Sequence, residues 1–151
     1  MKTSQRGIDL LTEFEGFRST AYRDVAGIWT IGYGTTRIYG RPVRSTDVCS
    51  KDEARAFMAN DLSRFERAVN EALPADGTQS HFDALVAFCY NVGVNGFQKS
   101  TIYRKLKLGT VLTVTEENFT VWNKARIKGK LVVIPGLTRR RRAEYQLFIS
   151  G

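Results

Sequence analysis

The stretch Ser50-Lys51-Asp52-Glu53 has the pattern of a capping box, in which the Ser50 hydroxyl bonds forward and Glu53 reaches back. Behind it Ala54, Phe57, Met58, Leu62, Phe65, Ala68, Val69 and Leu73 recur near helical spacing, and the pattern stops at Pro74. One long helix over 50–73 is therefore expected, and it divides the chain in two. Before it, residues 16–49 are rich in Gly, Tyr and Thr and broken by Gly40 and Pro42, which predicts a small β region. Its strands fall at Ala21-Tyr22 and from Ile28 to Tyr33. Further upstream Ser4 can cap a first helix running to Glu15, with Ile8, Leu11 and Phe14 on one face.

After Pro74 the chain reads as mostly helical: about 80–92, 100–108 with Gly109 as a stop, 115–125, and 139–148. The β-branched segment Thr110–Thr115 is expected to be a loop leading into a helix. The predicted fold class is α+β in a single domain, 1–151. A small β-containing lobe (16–49) is joined by the connecting helix (50–73) to a helical lobe, 74–151 plus the N-terminal helix 4–15. Clefts between lobes are where substrates usually bind.

An apolar fraction of 42% supports a sizeable core, and no segment is repetitive or of low complexity. The net charge of +8 points to anionic partners: nucleic acid, an acidic membrane surface, or bacterial wall. Charge alone does not choose among them. There is no apolar run long enough to span a membrane, and Lys2, Arg6, Asp9, Glu13 and Glu15 interrupt any secretory core, so a soluble protein without stable membrane insertion is expected. The two cysteines, Cys49 and Cys89, make no disulfide framework, and Cys89 between Phe88 and Tyr90 reads as a small buried thiol. The only histidine, His81, is near neither, so no metal site is expected.

Glu15 and Asp24 stand nine residues apart, one closing an amphipathic stretch and the other at a turn between strand segments. Helix ends and hairpin turns are rigid mounts, and two carboxyl groups in unlike surroundings are what hydrolysis of a glycosidic bond needs. Most such pairs in proteins are solvated surface, so spacing does not by itself carry the conclusion. The surrounding residues do more: Glu15-Gly16, then Tyr22-Arg23-Asp24, then Gly27-Ile28-Trp29-Thr30-Ile31-Gly32-Tyr33-Gly34.

That wording resembles the active-site signature of the phage-type lysozymes, or endolysins, of glycoside hydrolase family 24. Three further blocks extend the resemblance over nearly the whole chain: Ala84 to Gly93, Gly96 to Leu106, and Pro135-Gly136-Leu137-Thr138-Arg139-Arg140-Arg141. It implies a muramidase with Glu15 as general acid, flanked by Phe14 and Phe17, and Asp24 activating water or steadying charge on the sugar ring. Thr30 matches the threonine of the family's catalytic trio, which would hold that water; taken alone it reads as a β-branched strand residue. Gly32 and Gly34 either let a sugar lie against backbone or mark a bulge. Tyr90 and Asn91 match cleft-lining positions, and otherwise read as a helix end with a capping Asn.

Four consecutive arginines, Arg139 to Arg142, point in four directions on a helix, so one or two at most can face a site. The resemblance places Arg140 or Arg141 beside the glutamate, in a supporting role. It also implies peptidoglycan as partner, no cofactor, inversion at the sugar, and accumulation in the host cytoplasm until a holin-type protein opens the way to the wall in the periplasm; a monomer is the default for an enzyme that cleaves a polymer. One departure stands out: many relatives carry a histidine where this chain has Thr35, so a pairing within the small lobe is missing. A lytic transglycosylase and a basic polyanion-binding module without catalysis are the competing readings. The first needs no positioned water, and the second lacks any recognised nucleic-acid-binding motif.

Overall fold

A computed structural model describes all 151 residues, in the order α1 (Gln5–Glu15), β1 (Arg18–Arg23), β2 (Trp29–Gly32), β3 (Arg37–Ile38), β4 (Arg41–Pro42), α2 (Lys51–Asp61), α3 (Ser63–Ala72), α4 (Gln79–Lys99), α5 (Thr101–Lys107), α6 (Glu116–Thr120), β5 (Lys124–Ile127), β6 (Lys130–Val133) and α7 (Pro135–Phe148). The class is α+β, as expected. The chain divides into two compact units, one of Leu11–Ser63 and one of Met1–Leu10 with Arg64–Gly151.

In the unit Leu11–Ser63, β1 and β2 pair antiparallel with Tyr22 opposite Thr30 and Arg23 opposite Trp29, and the register shifts between Arg18 and Tyr22. The outer edge of β1 is not left bare. The Ala21 amide donates to the Asp47 carbonyl at 3.2 Å and the Cys49 amide to the Ser19 carbonyl at 2.9 Å. Asp47 is itself clamped: both Arg41 Nη atoms reach its carboxylate at 2.9 Å and the Arg44 amide donates to it at 2.6 Å. Leu11, Ile31, Tyr33, Ile38, Val43, Ala54, Met58 and Leu62 form the core. The capping box at α2 is present, with the Glu53 amide on Ser50 Oγ and the Ser50 amide on Glu53 Oε1.

The single long helix expected over 50–73 is instead two, interrupted at Leu62. The Ser63 hydroxyl donates to the Asn60 carbonyl at 3.1 Å, the kind of local side-chain bond that competes with the helical ladder and bends it. The interruption falls where the chain passes from one unit to the other.

In the larger unit α4 is the central element, with every side chain from Phe82 to Cys89 buried. Phe88 is its hub: its ring centroid lies 6.5 Å from Phe97, 5.5 Å from Phe119 and 5.9 Å from Trp122, tilted or edge-on as aromatic quadrupoles prefer. Thr78 and His81 cap its start reciprocally, and Gly93 (φ 86°) breaks its ladder, so the expected end near Val92 matches the break. Ser4 does not act as a simple cap: its hydroxyl and amide both donate to Asp83 of α4.

The helix expected over 115–125 is also corrected. It stops after five residues, and the antiparallel hairpin β5–β6 follows. Lys128 and Gly129, both at positive φ (50° and 80°), supply the turn that the right-handed twist of a hairpin favours. The β-branched run Val132-Val133-Ile134 then stays extended. The expected loop over 110–115 is a loop.

Candidate active site

In the smaller unit Glu15 is the last residue of α1, half-buried, and Gly16 (φ 71°) turns the chain in the left-handed conformation that commonly closes a helix. Leu11, one helical turn back, is 1% exposed and fixes the rotation of the helix. Phe17 is held by its neighbours, its ring centroid 5.6 Å from that of Tyr33 and 5.8 Å from Lys51 Nζ. Phe17, two residues after Glu15, thus belongs to a packed aromatic corner.

Asp24 sits at the β1–β2 turn and organises it. Its Oδ1 accepts the amides of Ala26 at 2.8 Å and Ile28 at 2.9 Å, and its own amide donates to the Ile28 carbonyl at 2.9 Å. Such side-chain-to-backbone bonds are what favour Asp in turns. Oδ2 takes no bond from the chain. Thr30 Oγ1 donates to the same Ile28 carbonyl at 2.9 Å, and Thr30 is 3% exposed. Ile28 therefore joins the two side chains: its amide holds the carboxylate and its carbonyl holds the hydroxyl. Opposite Thr30 on β1 stands Tyr22, under the Arg18 guanidinium at 4.4 Å from its ring centroid.

Gly32 and Gly34 lie in a tight reversal in which Ile31 and Thr35 exchange both backbone bonds at 2.9 Å. Gly32 is buried, and a Cβ there would come within 2.9 Å of the Ala54 Cβ on α2. Close packing alone accounts for that glycine. Gly34 is exposed. Thr35, where the resemblance led to the expectation of a histidine, is buried and donates from Oγ1 to Asp61 Oδ2 at 2.9 Å, a neutral donor facing a carboxylate.

In the larger unit the arginine quartet splits as its helical spacing requires. Arg139 and Arg142 are exposed, and Arg140 and Arg141 are buried. Arg141 Nε stands 2.9 Å from Glu144 Oε1, its Nη2 donates to Asn91 Oδ1 at 2.7 Å, and its guanidinium lies 5.1 Å from the centre of the Phe88 ring. Arg140 Nε donates to Glu144 Oε2 at 3.0 Å and its Nη2 to the Ala87 carbonyl at 3.1 Å. Glu144, wholly buried between two guanidinium groups, is absent from the sequence-derived site. Its offsets of four and three residues from Arg140 and Arg141 are the signal that could have found it. Tyr90 is half-buried with its ring edge on Phe65 at 5.1 Å, and Asn91 is exposed. Asn91 is oriented by Arg141 rather than serving as a cap.

The structure thus ties Asp24 to Thr30, and Asn91 to Arg141, Arg140 and Glu144. Both thiols are free and buried; burial pushes Cys89 up to about 12 and raises Cys49 less far, so neither is poised as a nucleophile.

The sequence profile of phage lysozyme matches residues 12–144. The chain belongs to the phage lysozyme family. It is 35% identical over its whole length, and the whole of the other chain, to an endolysin of Acyrthosiphon pisum secondary endosymbiont phage 1, and spans about half the length of longer Bacillus phage endolysins. Among solved structures it is similar to an endolysin from Escherichia coli O157:H7 phage FAHEc1, with a TM-score of 0.90 and 39% identity over 99% of this chain and 94% of that one. The muramidase domain of SpmX from Asticaccaulis excentricus gives 0.89 and 34% over 99% of both. As a phage lysozyme the protein is a peptidoglycan-hydrolysing enzyme.

Proposed function

We propose that this lysozyme is a muramidase that hydrolyses the β-1,4 bond between N-acetylmuramic acid and N-acetylglucosamine, and that it serves host-cell lysis. Glu15 is the general acid and protonates the oxygen of the departing sugar. Asp24 Oδ2 takes a proton from water as the water oxygen attacks the anomeric carbon. The C–O bond to the leaving group breaks, one proton has left Glu15 and one has reached Asp24, and attack from the opposite face inverts the centre. Thr30 positions the water through the lone pairs of a hydroxyl whose hydrogen is committed to Ile28. Asn91, its oxygen held by Arg141, offers its amide hydrogens to an N-acetyl carbonyl, and Tyr90 and Gly34 complete the sugar contacts.

The observation that carries this reading is the shared anchorage of Asp24 and Thr30 on the backbone of one residue, Ile28, through its amide and its carbonyl. A carboxylate and a hydroxyl held so rigidly suit the positioning of water. A lytic transglycosylase, which closes an anhydro ring without water, needs neither. Digestion of purified peptidoglycan in ¹⁸O-water tests the point. Reducing muramic ends carrying one heavy oxygen are expected; 1,6-anhydro ends as the main product would overturn the reading. The same reading has the enzyme act as a monomer, held in the host cytoplasm until a holin-type protein opens the way to the wall.

A further inference from the structure

The hairpin β5–β6 stands out because nothing in its own unit covers it. Seven of its eight strand residues are exposed, and the eighth, Ala125, is half-exposed. Four of them are large aliphatics: Ile127 at 50%, Leu131 at 62%, Val132 at 40% and Val133 at 51%. A two-stranded hairpin is marginal in water by itself, and this one is held at its base. The Ile134 amide donates to the Asn123 carbonyl at 2.8 Å, and Asn123 Nδ2 bonds Thr138 Oγ1 of α7 at 3.1 Å. At the tip Arg126 donates to the Gly129 carbonyl at 3.2 Å.

Its charge is of one sign. Lys124, Arg126, Lys128 and Lys130 lie within the hairpin, and no acidic residue occurs between Glu117 and Glu144. Clustered exposed aliphatics mark contact surfaces, and here lysine and arginine interleave with them. Sugars and bases are recognised on aromatic faces, and the hairpin has none. Isoleucine, leucine and valine gain most from hydrocarbon, while long basic side chains reach back to anionic headgroups.

We propose that the hairpin 124–133 is a docking element for the surface of an anionic phospholipid bilayer, separate from peptidoglycan hydrolysis. Sedimentation of the full-length protein with phosphatidylglycerol-containing vesicles, beside pure phosphatidylcholine vesicles, tests it. Binding to the anionic vesicles alone, weakened by salt, is expected. The combined variant Lys124→Gln, Lys128→Gln, Lys130→Gln should bind about a hundredfold more weakly. The variant Leu131→Ser, Val133→Ser should lose about tenfold or more. All five positions are exposed, so both variants should melt with the wild type. The proposal is overturned if the wild type ignores anionic vesicles, or binds neutral ones equally. It is likewise overturned if the variants keep vesicle binding and lose only binding to purified sacculi, which would make the hairpin a polymer contact.

Discussion

Asp24 holds its turn through Oδ1, and the proposed mechanism gives Oδ2 a second job, so the two can be separated. Asparagine keeps the Oδ1 acceptor for the Ala26 and Ile28 amides and removes the base. Asp24→Asn should therefore melt close to the wild type while clearing of cell walls falls by about 10²–10⁴-fold. Asp24→Ala should lose activity and also about 0.5–1.5 kcal/mol in denaturant titrations, because the turn's bonds go with it. A drop in stability for Asn as large as for Ala would place the importance of Asp24 in the turn. Glu144 carries a different risk. It is the counter-charge to two buried arginines, so Glu144→Gln should cost about 3–5 kcal/mol of unfolding free energy. At this scale Glu15, Asp24 and Thr30 are candidates because a short contiguous motif carries them. Glu144 is not, since its meaning arises only when helical geometry folds it back onto Arg140 and Arg141.

At the scale of elements, the β2 reversal is locked onto α2 by the absence of a side chain. Gly32→Ala sets a methyl 2.9 Å from Ala54 at a φ of +66°, and about 1–3 kcal/mol of destabilisation is expected, seen as a lower denaturation midpoint. An unchanged midpoint would mean that the strand can shift away from the helix, and would leave Gly32 open to a substrate role. The capped start of α2 shows what sequence resolves well at this scale. Ser50 and Glu53 meet within a single turn, so the local pattern is sufficient. The break at Leu62 turns on one hydroxyl, Ser63, choosing the Asn60 carbonyl, and hydrophobic periodicity continues through it unchanged. The hairpin after α6 escapes a search for buried periodicity because its aliphatic residues are exposed. Lys128-Gly129 was the available turn signal, weaker than the Asn-Gly that usually marks such a turn.

For the molecule as a whole, acid should erode stability in two stages. Burial holds the His81 imidazole below its usual 6.5, against a smaller opposing pull from Asp76, and its Nδ1 accepts the Thr78 amide at 2.9 Å. The fold favours the neutral ring, so this contribution is complete above pH 6.5 and is lost as the pH falls through the lowered value. Asp47 is held at about 2, first by the Arg41 side-chain bonds and then by the Arg44 amide. Its contribution is full above 3.8 and lost as the pH approaches 2. Melting temperatures followed down the pH scale should lose the first stage in His81→Gln and the second in Asp47→Asn; a single stage unaffected by either variant would contradict the assignment. The α+β class was legible at this scale, from the order of a Gly- and Tyr-rich segment followed by helical patterns. The central claim is that a positioned proton donor does the work, and clearing of purified sacculi by Glu15→Gln, at matched thermal stability, tests it most directly. A loss of about 10²–10⁴-fold is predicted; clearing at the wild-type rate would show that Glu15 is not the acid.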